Sequence, residues 1–599
     1  MEEIIYDPIK KYDNYYNQHQ DLTINYLENL VKEAKIDIEA NKTTVKEINN
    51  FIEKKNKFAK STKSLKAWCK FITVLYFLLP GISFLGCLQL SNNSNRILFY
   101  CLIGIGLIII IISLVFIHVK KMKPKIRNLE NEIKKINLKI VEKTNAAWEQ
   151  MNPLNSLFTY GIALKNTEKT LSILNFDDSL SEQRMSFFVS KGLNKHDNKS
   201  TIGLQSGELN TNPFLLAHKV NHWIGTKVYS GSITIFWTTT SRDSKGNTTT
   251  RTHSQVLTAS INKPFPVYEE EKTLIMYSDL CEKLIFNRLP MQNFNTSENF
   301  IKKELKKLDK KAEQAIKNNK KFNLMNNSEF ELFFNCYERT NEVEFRLMFS
   351  PVAQKQILDV IKSNKIYDNQ SFKMQKSENL TFIKNNALNS LNLNFYPTKY
   401  HSYDYEKIKN LFIDDQMQFF KDIFFSFIQI FSIPVFQERR TADNIWKDKQ
   451  EQKFADWEHE AMANSFNESK IAHPSAITQN MVKTNFIKNE EGLDYVSVKA
   501  DGYKGVERIA YETAWGRDGK LHTIPIKWIE YIPVSRETMM VVKSAQANKK
   551  EKTIKESIKE FLNDYGIQDN NINLKTNAIA MIFDDFNEDN DIIKSISKI

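Results

Sequence analysis

Two long uncharged stretches dominate the hydrophobic and polar pattern of the N-terminal part of the chain. Twenty-five residues between Lys70 and Arg96 carry no charge, and 21 more lie between Arg96 and His118. As helices rising ~1.5 Å per residue, both stretches are long enough to cross a bilayer core of ~30 Å. The pattern therefore predicts a transmembrane helical hairpin over residues 68–118, with a buried hairpin of a soluble protein as the alternative.

Basic residues flank this predicted hairpin on both sides, whereas its connecting loop contains only Arg96. The positive-inside bias then predicts a cell-membrane protein with two spans and with its N- and C-termini in the cytoplasm. The same cations would attract anionic lipids, which makes the lipid bilayer a predicted partner. The predicted membrane-surface residues are Lys54, Lys55, Lys57, Lys60, Lys63, Lys66, Lys70, Lys120, Lys121, Lys123, Lys125 and Arg127.

A heptad-like seam continues on both sides of the hairpin. Before it, apolar residues spaced three and four apart are Ile24, Leu27, Val31, Ala34, Ile38, Val45, Ile48 and Ile52, with Asn41 in the skipped position. After it, the same rhythm recurs at Ile126, Leu129, Ile133, Ile136 and Ile140. Helices that leave a tight hairpin run antiparallel, so the pattern predicts an antiparallel coiled-coil stalk. Residues 1–67 would supply an N-terminal tail and the first coiled-coil helix, and residues 119–150 the returning helix. Ordinary amphipathic helices are the alternative.

The clearest β element is a long hairpin formed by residues 228–240 and 248–261. Both segments are rich in Thr, Ile, Val and aromatic residues, and a polar turn containing Gly246 separates them. Residues 238–254 contain no aliphatic or aromatic side chain, so this part has nothing to bury and should project into solvent. A projecting β arm offers unpaired backbone edges to a neighbouring subunit or partner, although an idle exposed hairpin fits the pattern equally well.

The other segments complete a predicted membrane-anchored α+β protein. We divide them into a β-rich domain with the hairpin (151–295), a basic amphipathic helix (296–325), an α+β domain (326–480), a β-rich segment (481–545) and a charged C-terminal helix and tail (546–599). Within the α+β domain, the alternation over 342–349 predicts a strand, and Ser350-Pro351 predicts a helix start. The apolar run 423–436 is too short to span a membrane and predicts a core helix.

Composition narrows the function classes. The chain has 599 residues and a net charge of +12, with 17 Gly and 5 Cys. It contains no Cys-x-x-Cys pair, no phosphate-binding loop and no nucleophile elbow, which argues against a disulfide scaffold, a zinc ribbon and a nucleotide-driven motor. The basic face of residues 301–316 suits a membrane surface or nucleic acid, but lysines without interleaved aromatic residues are also typical of a solvated helix face.

Two groups of residues are candidates for chemistry. Clustered carboxylates beside imidazoles could perform general acid–base catalysis or bind a divalent cation. That cluster consists of Asp456, Glu458, His459, Glu460 and His473. His218 and His222 would align two imidazoles for a metal if they lay four residues apart on a helix. Neither group has a complete ligand or catalytic motif, and no cofactor is predicted.

These observations favour a membrane-anchored structural or interaction protein. Its cytoplasmic head, held on the stalk, would assemble with itself or capture a cytoplasmic partner, through the 238–254 hairpin tip and the coiled coil. A membrane-tethered hydrolase or metal-dependent enzyme that uses the region from Asp456 to His473 is the alternative. A membrane tether for nucleic acid is a weaker one, and nucleic acid is not expected as a partner.

Overall fold

A computed structural model shows two compact units. It describes residues 4–89, 112–113, 115–159, 161–177, 182–193, 198–242, 244–292, 294–318, 324–363, 366–393, 397–439, 456–490, 493–544, 572–575 and 578–583, with the backbone alone over 75–89. The larger unit comprises Met1–Leu22, Tyr160–Phe395 and Gln416–Ile599, and the smaller unit comprises Thr23–Thr159 and Tyr396–Asp415.

Helices occur in both units. They are α1 Pro8–Ala34, α2 Ile38–Gln89, α3 Lys123–Asn155, α4 Ile162–Thr170, α5 Glu182–Ser190, α6 Glu298–Lys317, α7 Ser328–Phe334, α8 Glu342–Met348, α9 Pro351–Lys362, α10 Asn386–Ser390, α11 Tyr405–Ser426, α12 Ile428–Phe431, α13 Pro434–Gln437, α14 Asp456–Ala463 and α15 Glu468–Ile471. A π-helical turn, Ile117–Met122, leads into α3, and short 3₁₀ turns cover Asn369–Ser371 and Pro397–Tyr400. The boundary between the units falls within α1 and α11.

The larger unit contains two antiparallel sheets. Their strands are β1 Leu174–Phe176, β2 Ser200–Leu209, β3 Asn212–Arg242, β4 Thr248–Tyr277, β5 Phe286–Arg288, β6 Lys373–Ser377, β7 Leu380–Lys384, β8 Met481–Glu490, β9 Leu493–Trp515, β10 Leu521–Ser544, β11 Ile572–Lys575 and β12 Ala578–Phe583. The first sheet has the order β1-β2-β3-β4-β7-β6-β5, and the second has the order β11-β12-β10-β9-β8. The predicted α+β content and the predicted long hairpin, β3–β4, are therefore present.

Both faces of the first sheet are buried around the start of β3 and the end of β4. Phe214 and Leu216 contribute to a Phe-rich core that also contains residues of α11, α12 and α13. Leu215 and Ala217 face a second core, which includes Val496 of the second sheet and residues of α14. Because side chains alternate along a strand, the same short segment holds helices on one face and the second sheet on the other.

In the smaller unit, α2 and α3 run antiparallel, as the heptad pattern predicts. Ion pairs join Lys143 to Glu47 at 2.7 Å and Lys66 to Glu130 at 2.8 Å, so residues early in one helix meet residues late in the other. The upstream seam is nevertheless not one continuous helix. The first helix, α1, ends at Ala34, and the next residue, Lys35, has a left-handed φ of 51°. The second helix, α2, begins at Ile38.

The predicted transmembrane hairpin is not supported. Within the described part of the chain, none of the helices combines the length and the apolar character that crossing a bilayer requires. Of the predicted hairpin, the described side chains of α2 end at Val74. The rest of the predicted hairpin, 75–111, lies outside the described side chains. The membrane anchor, the two-span location and the transmembrane assignment are corrected accordingly.

Four further predictions have clear outcomes. The segment 342–349 is not a strand, because Asn341 caps a helix by accepting a hydrogen bond from the Glu344 N–H. Ser350 does cap a helix, α9, with Pro351 at its first position. The run 423–436 is almost entirely buried, but it is divided among the end of α11, the whole of α12 and the start of α13 instead of forming one core helix. The basic helix α6 buries Leu308 and Ala312 while its lysines remain exposed.

The polar residue in the seam, Asn41, is buried and ties α2 to a neighbouring loop. Its amide donates to the Tyr403 carbonyl at 2.9 Å and to Gln150 Oε1 at 3.2 Å, and its Oδ1 accepts from the Tyr405 N–H at 3.1 Å. A single polar residue in a heptad seam usually sets helix register. Here its partners include loop backbone, so it also positions the loop that leads into α11.

We predict that Asn41→Leu lowers the free energy of unfolding by about 2 kcal/mol, because it leaves the Tyr405 N–H and the Tyr403 carbonyl buried without that partner. Denaturant unfolding followed by circular dichroism measures the change. The exposed Asn50 of the same helix provides the matched control, Asn50→Leu, which should alter stability by less than about 0.5 kcal/mol. Equal effects of the two substitutions would contradict this role for Asn41.

Candidate interaction site

Two long hairpins leave the sheets and form one arm. Beyond Val220, β3 pairs only with β4 among the described strands, which gives a first ribbon, residues 221–273. Likewise, β9 pairs with β8 only up to Asp501, and β10 pairs with β12 only from Met539 onwards. The part between, residues 502–538, is a second ribbon in which β9 and β10 pair with each other. The second ribbon packs against the first. We call the two ribbons together the arm.

The facing sides of the ribbons make a small apolar core. Ile235 and Leu257 of the first ribbon and Ile524 and Ile526 of the second are buried together. Gly231 allows the backbones to approach closely, since a Cβ atom built at this position would lie 2.3 Å from the Pro525 carbonyl oxygen. The arm is therefore a two-layer β structure with its own interior.

The first ribbon continues past the second, and its end is the tip, residues 238–254. The second ribbon turns beside Ile235, where the Arg517 N–H donates to Gln255 Oε1 at 2.9 Å. Every described residue of the tip is exposed. At ~3.4 Å per residue the tip extends about 20 Å further. The prediction that 238–254 projects into solvent is confirmed.

Short-range contacts order the base of the tip. The rings of Trp237 and His253 stack with centroids 5.4 Å apart, and Thr239 Oγ1 lies 2.8 Å from His253 Nε2. The ladder between β3 and β4 continues without a register shift to the pair Arg242–Thr248. The tip is thus an extended ribbon with both faces and both edges available for contacts.

Sequence reasoning identified the first ribbon and its exposed tip but missed the second layer. It assigned 481–545 only as a β-rich segment, without a partner. The alternation of Ile524 and Ile526 with exposed residues was the available signal, because it predicts one buried face. Nothing in that pattern says that the covering surface lies more than 250 residues earlier in the chain.

The candidate catalytic residues on α14 lie in the second core. His459 and Glu460 are 0% and 2% exposed. His459 Nε2 lies 3.2 Å from Asp494 Oδ2 of β9. Glu460 accepts the Thr201 N–H of β2 at 2.9 Å and pairs with Lys483 of β8 at 2.6 Å. These contacts join α14 to both sheets.

The remaining members of that cluster are not brought into an open site. Glu458 is buried, and Asp456 is half-buried at the start of α14. His473 bonds locally, with its Nδ1 2.8 Å from Ser475 Oγ. Burial raises the pKa of the Glu460 carboxyl above its ordinary value, and Lys483 and the Thr201 N–H act against this rise. Buried, paired groups of this kind suit anchoring better than acid–base catalysis, which needs access to substrate.

The two histidines proposed as metal ligands lie on β3 rather than on a helix. Four residues along a strand separate them by ~13 Å, which is too far for one ion. His218 Nε2 instead contacts Glu270 Oε2 at 2.9 Å, and the His222 ring lies against Tyr268 and Tyr503. In the described ranges no group of three or more His, Cys, Asp and Glu side chains is arranged to hold a metal.

The predicted membrane-surface cations lie on α2, on the π-helical turn and on α3. All are exposed except Lys55, which is half-buried, and Lys57 and Lys66 pair with Glu53 and Glu130. Their predicted contact with anionic lipids rested on the transmembrane hairpin, and we do not propose it for this chain.

Comparison with protein-family models, with curated proteins and with solved structures finds no match for this chain. Inference about function therefore rests on the arrangement of its own residues. Among the candidates, the arm is the feature that ends in a segment, the tip, all of whose described residues are exposed.

We predict that Glu460→Ala lowers the free energy of unfolding by about 2 kcal/mol, because the buried Thr201 N–H loses its acceptor and Lys483 loses its partner. Urea unfolding measures this change. The exposed Glu468, five residues beyond the end of α14, provides the control Glu468→Ala, which should be nearly neutral. A Glu460→Ala protein of parental stability would contradict an anchoring role.

Proposed function

We propose that this chain is a structural or interaction protein that assembles with itself or captures a partner through the arm. One observation carries the proposal. The tip extends beyond the second ribbon, which covers one face of the rest of the first ribbon. The strands of the tip therefore keep unpaired backbone groups at their outer edges, and all the described side chains of the tip are exposed. A two-stranded ribbon without such a partner is only marginally stable in water, so pairing with further strands is energetically favourable.

The alternatives from the sequence gain less support. A hydrolase or metal enzyme centred on α14 would need its buried His459 and Glu460 to reach a substrate. A nucleic-acid tether would use the lysines of α6, but this helix packs its apolar side on its own unit and has local ion pairs such as Lys307–Glu304 at 2.6 Å. We therefore propose no second function.

A tipless variant tests the proposal. Replacing residues 238–252 with Asn-Gly would close the ribbon between Trp237 and His253, which are paired directly across it. Asn-Gly forms the type I′ turn that two-residue hairpins favour. We expect the tipless chain to lose self-assembly or partner binding, measured by light scattering after gel filtration and by affinity capture from extracts of its own cells. Its thermal unfolding should be unchanged, since the tip contacts neither core.

The control keeps the tip length and changes one exposed side chain, as in Thr250→Ser. It should retain whatever assembly or binding the parent chain has. Undiminished association of the tipless chain would refute the proposed role of the arm.

A further inference from the structure

We propose that the arm's partner is a second copy of this chain, joined by antiparallel pairing of the exposed β3 edges over residues 228–241. This inference rests on the proposed function of the arm and identifies the partner. The arm has four strand edges, and natural proteins protect such edges with prolines, charges or covering segments. The β3 edge has the least of this protection.

Prolines and a covering loop protect parts of the other edges. Pro264 and Pro266 lie in β4, and Pro525 lies in β10. On β9, the Tyr503 carbonyl accepts the Ile477 N–H at 2.8 Å, and the Tyr503 N–H donates to Thr478 Oγ1 at 3.0 Å. No proline occurs in β3 from 221 to 242.

Charge separates the edges further. Residues 228–241 of β3 form a run of 14 positions without a charged side chain, bounded by Lys227 and Arg242. The exposed length of β9 includes Glu507, Arg508 and Glu512, and β10 has Lys527 and Glu530. The longest comparable run on β4, 252–262, is shorter. An uncharged run rich in Thr, Ser and β-branched or aromatic residues is what strand addition favours.

The second ribbon leaves the β3 edge clear. β10 packs over both strands of the first ribbon, whereas β9 packs over β4, so the second layer is displaced towards the β4 side. The alternation that turns Ala514 towards the first ribbon also turns Glu512 to that side. A strand added beside β4 would therefore approach charged side chains of β9, and a strand added beside β3 would not.

The prolines also reveal which β3 residues have outward-facing N–H groups. Pro264 lies opposite Thr226, and Pro266 lies opposite Ile224. A residue without an N–H is tolerated where the strand's N–H would point away from its partner. Because the register runs to the turn without a shift, even-numbered β3 residues have outward-facing N–H and C=O groups. They include Ser230, Ser232, Thr234, Phe236 and Thr238, all of them exposed.

The β3 strand of a second copy, running antiparallel, can pair with the outward-facing N–H and C=O groups of this edge. When two copies pair around Thr234, Ser232 lies opposite Phe236 of the second copy, and Val228 lies opposite its Thr240. No two charged residues face each other, since Lys227 then lies opposite Ser241. Such a twofold pair is isologous and closed, so it gives a dimer rather than a fibre. No other described arm edge has so long an uncharged, proline-free run to offer.

Thr234→Pro tests the inference in the full-length chain. This substitution removes an outward-facing N–H and leaves the β3–β4 hydrogen bonds intact, because that N–H does not face β4. Sedimentation velocity over a series of concentrations should show a dimer for the parent chain. For Thr234→Pro we expect dimerisation to weaken roughly tenfold or more, since both hydrogen bonds of the central Thr234 pair are lost and the rings block strand approach.

The matched control is Thr258→Pro, which changes the same residue type at an outward-facing position on the opposite edge of the same ribbon. It should dimerise like the parent chain. A parent chain that stays monomeric, a Thr234→Pro chain that dimerises normally, or a Thr258→Pro chain that loses the dimer would each overturn the inference. The proposed function is tested separately. If the parent chain captures a partner and the tipless chain does not, the arm is still an interaction site even though its partner is not a second copy.

Discussion

The alternation of side chains along β3 and β4 is the constraint on which the larger unit depends. Where these strands lie in the first sheet, Phe214 and Leu216 enter the Phe-rich core, and Leu215 and Ala217 enter the core shared with the second sheet. A slip of one residue would exchange the two faces. The register therefore joins the helices, both sheets and the start of the arm in one arrangement.

The arm extends this alternation beyond the sheets. Ile235 of β3 and Leu257 of β4 turn inwards to the second ribbon, while Thr234, next to Ile235 on β3, turns outwards. Gly231 permits the close contact between layers that an additional Cβ would prevent. Because the second ribbon ends near Gln255, the tip beyond it has no surface of its own to bury. Burial holds the base of the arm, and the tip remains available for contacts.

Several features could be read from local sequence because their causes are local. The turn around Gly246, the helix cap at Ser350 and the antiparallel pairing of α2 with α3 follow from neighbouring residues or a repeated spacing. Local alternation failed over 342–349, where Asn341 supplies a cap and Phe345 and Met348 are buried one helical turn apart. Acidic residues in the first turn of α8 also favour a helix. A long apolar stretch likewise predicted a membrane hairpin that the described helices do not support.

The sequence by itself determined where strands and helices can form, which tip has nothing to bury and which edge lacks charges and prolines. Only the tertiary structure decided that the ribbon at 502–538 covers the one at 221–273, and that His459 and Glu460 are buried anchors. The physical reason is that hydrogen bonding and side-chain alternation specify a surface but not the distant segment that covers it. The contact between Arg517 and Gln255 exists only once both hairpins have folded and stacked.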